Sequence, residues 1–181
     1  AGDVLIGVPS SGLHTNGYSL ARKILFDDLG LDPNSRIPGL KNSLGAELLA
    51  VHISYGPLVE DLLKKFNRPG KPLVVKGLAH VTGGGFIDNI PRVLPKTCNV
   101  EIRKGSWPVL PIFNLLAEKG SVPEEELYQV YNMGIGMTVF VPRQQTTTVL
   151  KSIAARKLKA WVIGEVTRGT GEAQIINRSD S

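Results

Sequence analysis

Twice in this chain a short apolar run stops at a glycine-bearing polar loop and is followed at once by helical periodicity. In the first instance Val4-Leu5-Ile6-Gly7-Val8 is closed by Pro9, a polar loop occupies residues 10–17, and Leu20, Ile24, Leu25 and Leu29 then recur with helical spacing up to Gly30. In the second, an extended stretch over residues 77–81 runs into Gly83-Gly84-Gly85 and a short helix expected over 86–94. Strand, turn and helix in direct succession require each helix to pack back on the sheet its strand belongs to. The rest of the chain obeys the same alternation. Helical patterns cover 44–49, 58–66, 110–119 and 144–157, and another begins at Pro123-Glu124-Glu125-Glu126, where proline and carboxylates suit the positive end of a helix. Extended runs lie at 73–75, 99–102 and 137–141, and residues 161–166 are expected to pair with 173–176 as a C-terminal hairpin through Arg168-Gly169-Thr170-Gly171. Residues 32–41 read as an irregular connection and 178–181 as a frayed end. The fold class is therefore α/β (α+β), a mixed β-sheet with helices packed on it. With 181 residues, the chain fits one domain over residues 1–181.

Composition removes several function classes. Hydrophobic residues are 42% and charged residues 20% of the chain, and no apolar run approaches the ~18 residues of a membrane span. The net charge of +5 attracts anions, yet the basic residues form no dense block and aromatics are only 6%, so phosphorylated small molecules fit better than nucleic acid. The single cysteine, Cys98, makes no intramolecular bridge. His14, His52 and His80 show no metal-ligand spacing, so no metal site is expected. Residues 1–8 lack the pattern of a signal peptide, and a cytoplasmic location is expected.

Three glycine-bearing segments carry the chemistry. The loop from Gly7 to Ser19 offers backbone N–H groups, hydroxyls and a helix start, which suits a phosphate site and equally a strand-to-helix turn capped by polar residues. Gly7 and Gly12 are spaced as in a P-loop, but Leu13 and His14 stand where Lys and Ser or Thr are required, which excludes a Walker-type NTPase. Three consecutive glycines at 83–85 mark a tight turn or a close approach to ligand. His80, just before them, is a proton donor or acceptor near neutral pH, or else a hydrogen-bonded structural residue. Gly134-Ile135-Gly136 reads as a bulge ahead of a strand. Ser10 and Ser11 lie near His14 without a Gly-x-Ser-x-Gly elbow, so hydrolase chemistry is unsupported. Arg143, Lys151, Arg156, Lys157, Lys159 and Arg168 read as a solvated face.

Gly2-Asp3-Val4-Leu5-Ile6-Gly7, the run from Pro9-Ser10-Ser11-Gly12-Leu13-His14 through Thr15-Asn16-Gly17-Tyr18-Ser19-Leu20, Gly77-Leu78-Ala79-His80-Val81-Thr82 with Gly83-Gly84-Gly85-Phe86, Asn89-Ile90-Pro91-Arg92 and Asn132-Met133-Gly134-Ile135-Gly136-Met137 occur in that order. Together they resemble the C-terminal domain of the phosphoribosylformylglycinamidine cyclo-ligase (AIR synthetase) family, over nearly the whole chain. The resemblance implies a ligase of purine biosynthesis that uses ATP to close formylglycinamidine ribonucleotide into aminoimidazole ribonucleotide. It implies that Ser10, Ser11, Gly12, His14, Asn16, Gly83, Gly84 and Gly85 line the side that holds the phosphorylated substrate, with His80 and Thr82 facing the reacting centre. ATP and Mg would be bound mainly by an N-terminal domain that residues 1–181 do not contain, so the chain alone is expected to be inactive and the full-length enzyme a homodimer. No nucleic acid or membrane partner is implied. Two alternatives share the domain type or the sequence: a related ATP-dependent synthetase of the formylglycinamidine or selenophosphate kind, and a non-catalytic stand-alone ligand-binding module. One departure stands out. The family usually reads Pro-Thr-Arg or Pro-Thr-Lys where this chain has Val51-His52-Ile53, and the resemblance gives His52 no role.

Overall fold

β1 (Asp3–Pro9) is buried on both faces, and its side chains alternate between two cores. Val4, Ile6 and Val8 join Leu58, Leu62, Val149 and Ile153, while Leu5 joins Ile24, Leu25, Phe113 and Leu116 on the other side. This is the period of two expected of a strand sandwiched between helix layers. The structure is a computed structural model that describes residues 1–177, so the expected frayed end at 178–181 lies outside the described residues. After β1 come α1 (Tyr18–Arg22), which continues as a wider turn over Lys23–Asp28, then α2 (Leu44–Leu48), α3 (Gly56–Phe66), β2 (Gly77–His80) and α4 (Gly85–Asn89). β3 (Cys98–Arg103), α5 (Pro111–Gly120), α6 (Glu124–Val130), β4 (Ile135–Pro142), α7 (Thr146–Ala154), β5 (Trp161–Arg168) and β6 (Ala173–Ile176) complete the described residues.

The strands form one mixed six-stranded sheet in the order β2-β4-β1-β5-β3-β6. All neighbours are antiparallel except β3 and β6. The expected C-terminal hairpin does not form, because β3 lies between the two strands: Val100 faces Val166 of β5 on one side and Ala173 of β6 on the other. The Oδ1 atom of buried Asn99 accepts the N–H groups of Thr170, Gly171 and Glu172, and so draws the connecting turn across the end of β3. Residues 73–75 are not a strand either. The Asn67 side chain binds their backbone, accepting from Val74 and Val75 N–H and donating to the Val75 carbonyl. The helix expected over 86–94 breaks at Pro91, which has no N–H to continue α4 and instead opens a tight turn over Pro91–Val93.

The bulge at Gly134-Ile135-Gly136 is present: Val8 pairs with Met137 and Pro9 with Ile135, which leaves Gly136 without a partner on β1. Strand direction then decides where the loops meet. β1 and β2 flank β4 and both run antiparallel to it, so Pro9 and His80, their last residues, end together beside Ile135 and Met137 at the start of β4. Both glycine loops therefore leave the sheet at one end. Elsewhere Arg103 and Arg143 share Glu165, and Arg156 pairs with Asp61, in keeping with solvated charges.

Candidate functional site

Two buried asparagines hold the loops in shape. Asn89, at the end of α4, donates its amide to the carbonyls of Thr82, Gly83 and Gly85, and its Oδ1 accepts from the Thr82 hydroxyl at 3.1 Å. The second glycine loop thus closes on one side chain. Gly85 has a φ of 54° and lies so close to α6 that a Cβ would overlap the Tyr128 carbonyl oxygen, which explains why the turn carries glycine there. Asn132, just before β4, does the same for the first loop. Its Oδ1 accepts from Ser10 Oγ at 2.8 Å and from Gly134 N–H, and its amide donates to the Gly12 carbonyl at 2.9 Å. Ser10 and Gly12 are buried. Their polar groups face Asn132, so they act as framework beneath the loop.

Ser11 and Asn16 are only partly buried, while His14 is buried. Ser11 donates its hydroxyl to the Val51 carbonyl at 2.5 Å, and its backbone N–H points to His14 Nε2 at 3.0 Å. Asn16 Oδ1 sits against the second loop, 3.3 Å from where a Cβ of Gly83 would stand. An open depression beside this contact is lined by Gly17, Gly83 and Gly84 together with Asp88, Glu125 and Glu126. The structure therefore brings Ser11, His14, Asn16, Gly83 and Gly84 to one end of the sheet, with Thr82 turned toward Asn89.

The three histidines, unrelated by spacing in the sequence, are neighbours in the fold. His14 and His52 stack with ring centroids 3.9 Å apart, and His52 Nε2 lies 3.2 Å from His80 Nε2. One nitrogen from each ring lies within 4.8 Å of the others, the one such grouping of metal-ligating side chains among the described residues. Their spacing in the sequence gives no sign of this grouping. Tyr55 closes the floor, its hydroxyl donating to the Pro9 carbonyl at 2.6 Å, and burial pushes that hydroxyl well above its ordinary pKa. Gly136 completes the packing: a Cβ there would overlap the Tyr55 hydroxyl and stand 2.9 Å from His14 Cε1. His14 is 3% exposed, and its pKa is lowered to about 4 by burial first, then by the neighbouring His52 and His80. Burial and then His52 likewise lower His80. Both rings are neutral at pH 7. His14 adopts a left-handed backbone with φ of 58°, uncommon outside glycine, and its Nδ1 is buried without a hydrogen-bond partner.

Asn89, Asn132, Tyr55 and His52 are the site residues that sequence reasoning passed over. Asn89 and Asn132 sit inside segments that carry the resemblance, but a polar residue beside Ile-Pro or Met-Gly reads as an ordinary turn former. His52 lies in the departing segment, and nothing local shows that α2 and α3 return it to β1 and β2.

Residues 1–177 match the family described as AIR synthase related protein, C-terminal domain. Among curated relatives, the phosphoribosylformylglycinamidine cyclo-ligase of Syntrophotalea carbinolica is 44% identical over 96% of this chain and 47% of that protein. The protein of the same name from Bacillus velezensis is 48% identical over 94% of this chain and 47% of its own length. The chain thus spans about half the length of the curated relatives it matches. Among solved structures, thiamine-monophosphate kinase from Stenotrophomonas maltophilia K279a superposes with a TM-score of 0.61 at 12% identity, covering 96% of this chain and 50% of that one. A hydrogenase maturation protein HypE gives 0.60 at 15% identity, with 98% and 50% covered. These structures share the fold. On the family match and the relatives' identity, the chain belongs to the AIR synthase-related C-terminal-domain family.

Proposed function

We propose that this chain is the substrate-binding half of an ATP-dependent cyclo-ligase that converts formylglycinamidine ribonucleotide to aminoimidazole ribonucleotide in de novo purine biosynthesis. The observation that carries the reading is identity of 44–48% to proteins named for that activity, across nearly the whole chain. In this reaction ATP phosphorylates the amide oxygen of the substrate, an amine of the same molecule attacks the activated carbon, and phosphate leaves as the imidazole ring closes. An amide oxygen is a poor leaving group until phosphorylated, so the protein contributes chiefly position and charge stabilisation.

Ser11, His14 and Asn16, on the framework of Ser10 and Gly12, hold the ribose phosphate in this reading, and Gly83, Gly84 and Gly85 line the polar groups of the same substrate. His80 faces the reacting centre, and Thr82, whose hydroxyl binds Asn89, keeps the loop beside it in place. His80 is neutral, so it accepts a proton from the attacking amine or donates its ring N–H; it does not act as a fixed cation. ATP-bound Mg²⁺ takes oxygen ligands, which the imidazole grouping at this site does not supply. In this reading ATP and Mg²⁺ are bound mainly by the companion half of the enzyme, and the chain alone closes no rings. No helix of the described residues is long and apolar enough to cross a membrane, and the complete enzyme is read as a cytoplasmic homodimer.

The test is His80→Ala in the full-length enzyme, with active sites titrated. Loss of an interaction that strengthens in the transition state lowers kcat by about 10²–10⁴-fold with KM nearly unchanged. An unchanged kcat per active site rejects the assignment of His80.

A further inference from the structure

We propose that His14, His52 and His80 form a binding site for one late first-row divalent ion, represented by Zn²⁺, with the remaining coordination position open to solvent beside His80. The inference stands on the side-chain geometry and does not need the enzymatic reading. His52 Nε2 and His80 Nε2 are 3.2 Å apart. Two imidazole nitrogens on one tetrahedral zinc, each at 2.0–2.1 Å, are about 3.4 Å apart, so this pair already has the separation a shared ion requires. A nitrogen of His14 completes the set within 4.8 Å. Three neutral imidazoles suit a transition ion and not Mg²⁺ or Ca²⁺.

The second observation is the orphaned Nδ1 of His14. In the ring form that accepts the Ser11 N–H at Nε2, the proton sits on Nδ1, where it is buried without an acceptor. Ser11 also offers the other arrangement, because its hydroxyl oxygen is 3.1 Å from Nε2 and already gives its own proton to the Val51 carbonyl. Moving the ring proton to Nε2 gives up the bond from the Ser11 N–H, makes a relay from His14 to Ser11 Oγ to Val51, and frees the Nδ1 lone pair for a cation. A ligating histidine whose second nitrogen is held by a hydroxyl or carbonyl is the usual outer-shell arrangement. The rings of His14 and His52 stack and do not both aim in-plane lone pairs at one ion, so binding tilts His52 off His14 while its Nε2 keeps its place beside His80. Its place allows that: His52 lies on the connection between α2 and α3, next to Val51, which is 85% exposed. His52 also belongs to the segment that departs from the family pattern, and the proposed reaction uses it for nothing.

Cobalt(II) titration of the tag-free 181-residue chain tests the site. The expected result is a visible d–d band of low-coordinate cobalt that saturates at one equivalent and is displaced by Zn²⁺, with no thiolate charge-transfer band from Cys98. His52→Ala and His52→Gln should each weaken binding by more than about ten-fold. Zn²⁺ should raise the Tm of the parent chain and not of the variants, which gives a readout apart from the spectrum. Absence of the band and of the Tm shift in the parent, or parental affinity in either folded variant, overturns the proposal.

Discussion

Asn89 is 4% exposed, and all of its polar capacity goes to the turn that follows β2. Asn89→Ala leaves three carbonyls and the Thr82 hydroxyl without their partner, and is expected to lower stability by about 2–4 kcal/mol in urea unfolding. A change under about 0.5 kcal/mol would mean that the glycines hold the turn unaided. His14 carries a different signature. Its pKa is about 4 in the fold against 6.5 for an ordinary histidine, so between those values the unfolded chain binds more protons than the native one. The contribution is fully present above about pH 6.5 and is lost as pH falls toward 4. The depression corresponds to about 3 kcal/mol. His80 shifts the same way, so both act in one direction. Unfolding curves at stepwise pH values measure the loss, and His14→Asn should flatten it; equal slopes in the parent and the variant would contradict the assignment.

Strand identity was readable locally, but strand pairing was not. β1, β4 and β5 announce themselves by β-branched runs ended by proline or glycine, whereas the position of β6 depends on a side chain about seventy residues away. Asn99 accepts from three consecutive N–H groups at 2.8–3.0 Å and carries the chain over β3, so two strands that read as a hairpin become second neighbours. Asn99→Ala should therefore loosen β6 selectively. Amide exchange at residues 173–176 is expected to quicken by at least about ten-fold while β1 and β4 keep their protection. Uniform quickening would show that Asn99 supports the whole sheet. The site follows the same logic. Its glycine loops were legible because a strand, a glycine run and a helix adjoin in sequence. The histidine cluster was not, because His14 and His52 lie on two separate connections and His80 ends β2.

For the molecule as a whole, one topological fact produces the candidate site: β1 and β2 flank β4 in opposite sense, so both glycine loops leave the same end of the sheet. A net charge of +5 favours a phosphorylated ligand over a neutral one, although Asp88, Glu125 and Glu126 beside Gly83 and Gly84 oppose a phosphate on that flank. The phosphate is thus expected on the Ser11 and Asn16 side, and affinity should fall as salt screens it. The chain covers about half of its relatives' length, and ATP turnover by the chain alone is expected to be undetectable. The most direct measurement is an amide-resolved NMR titration of the 181-residue chain with formylglycinamidine ribonucleotide. The account predicts saturable one-to-one shifts concentrated at residues 11–17 and 80–85, weakening with added salt. Shifts confined to other surfaces, or none at millimolar ligand, would contradict it.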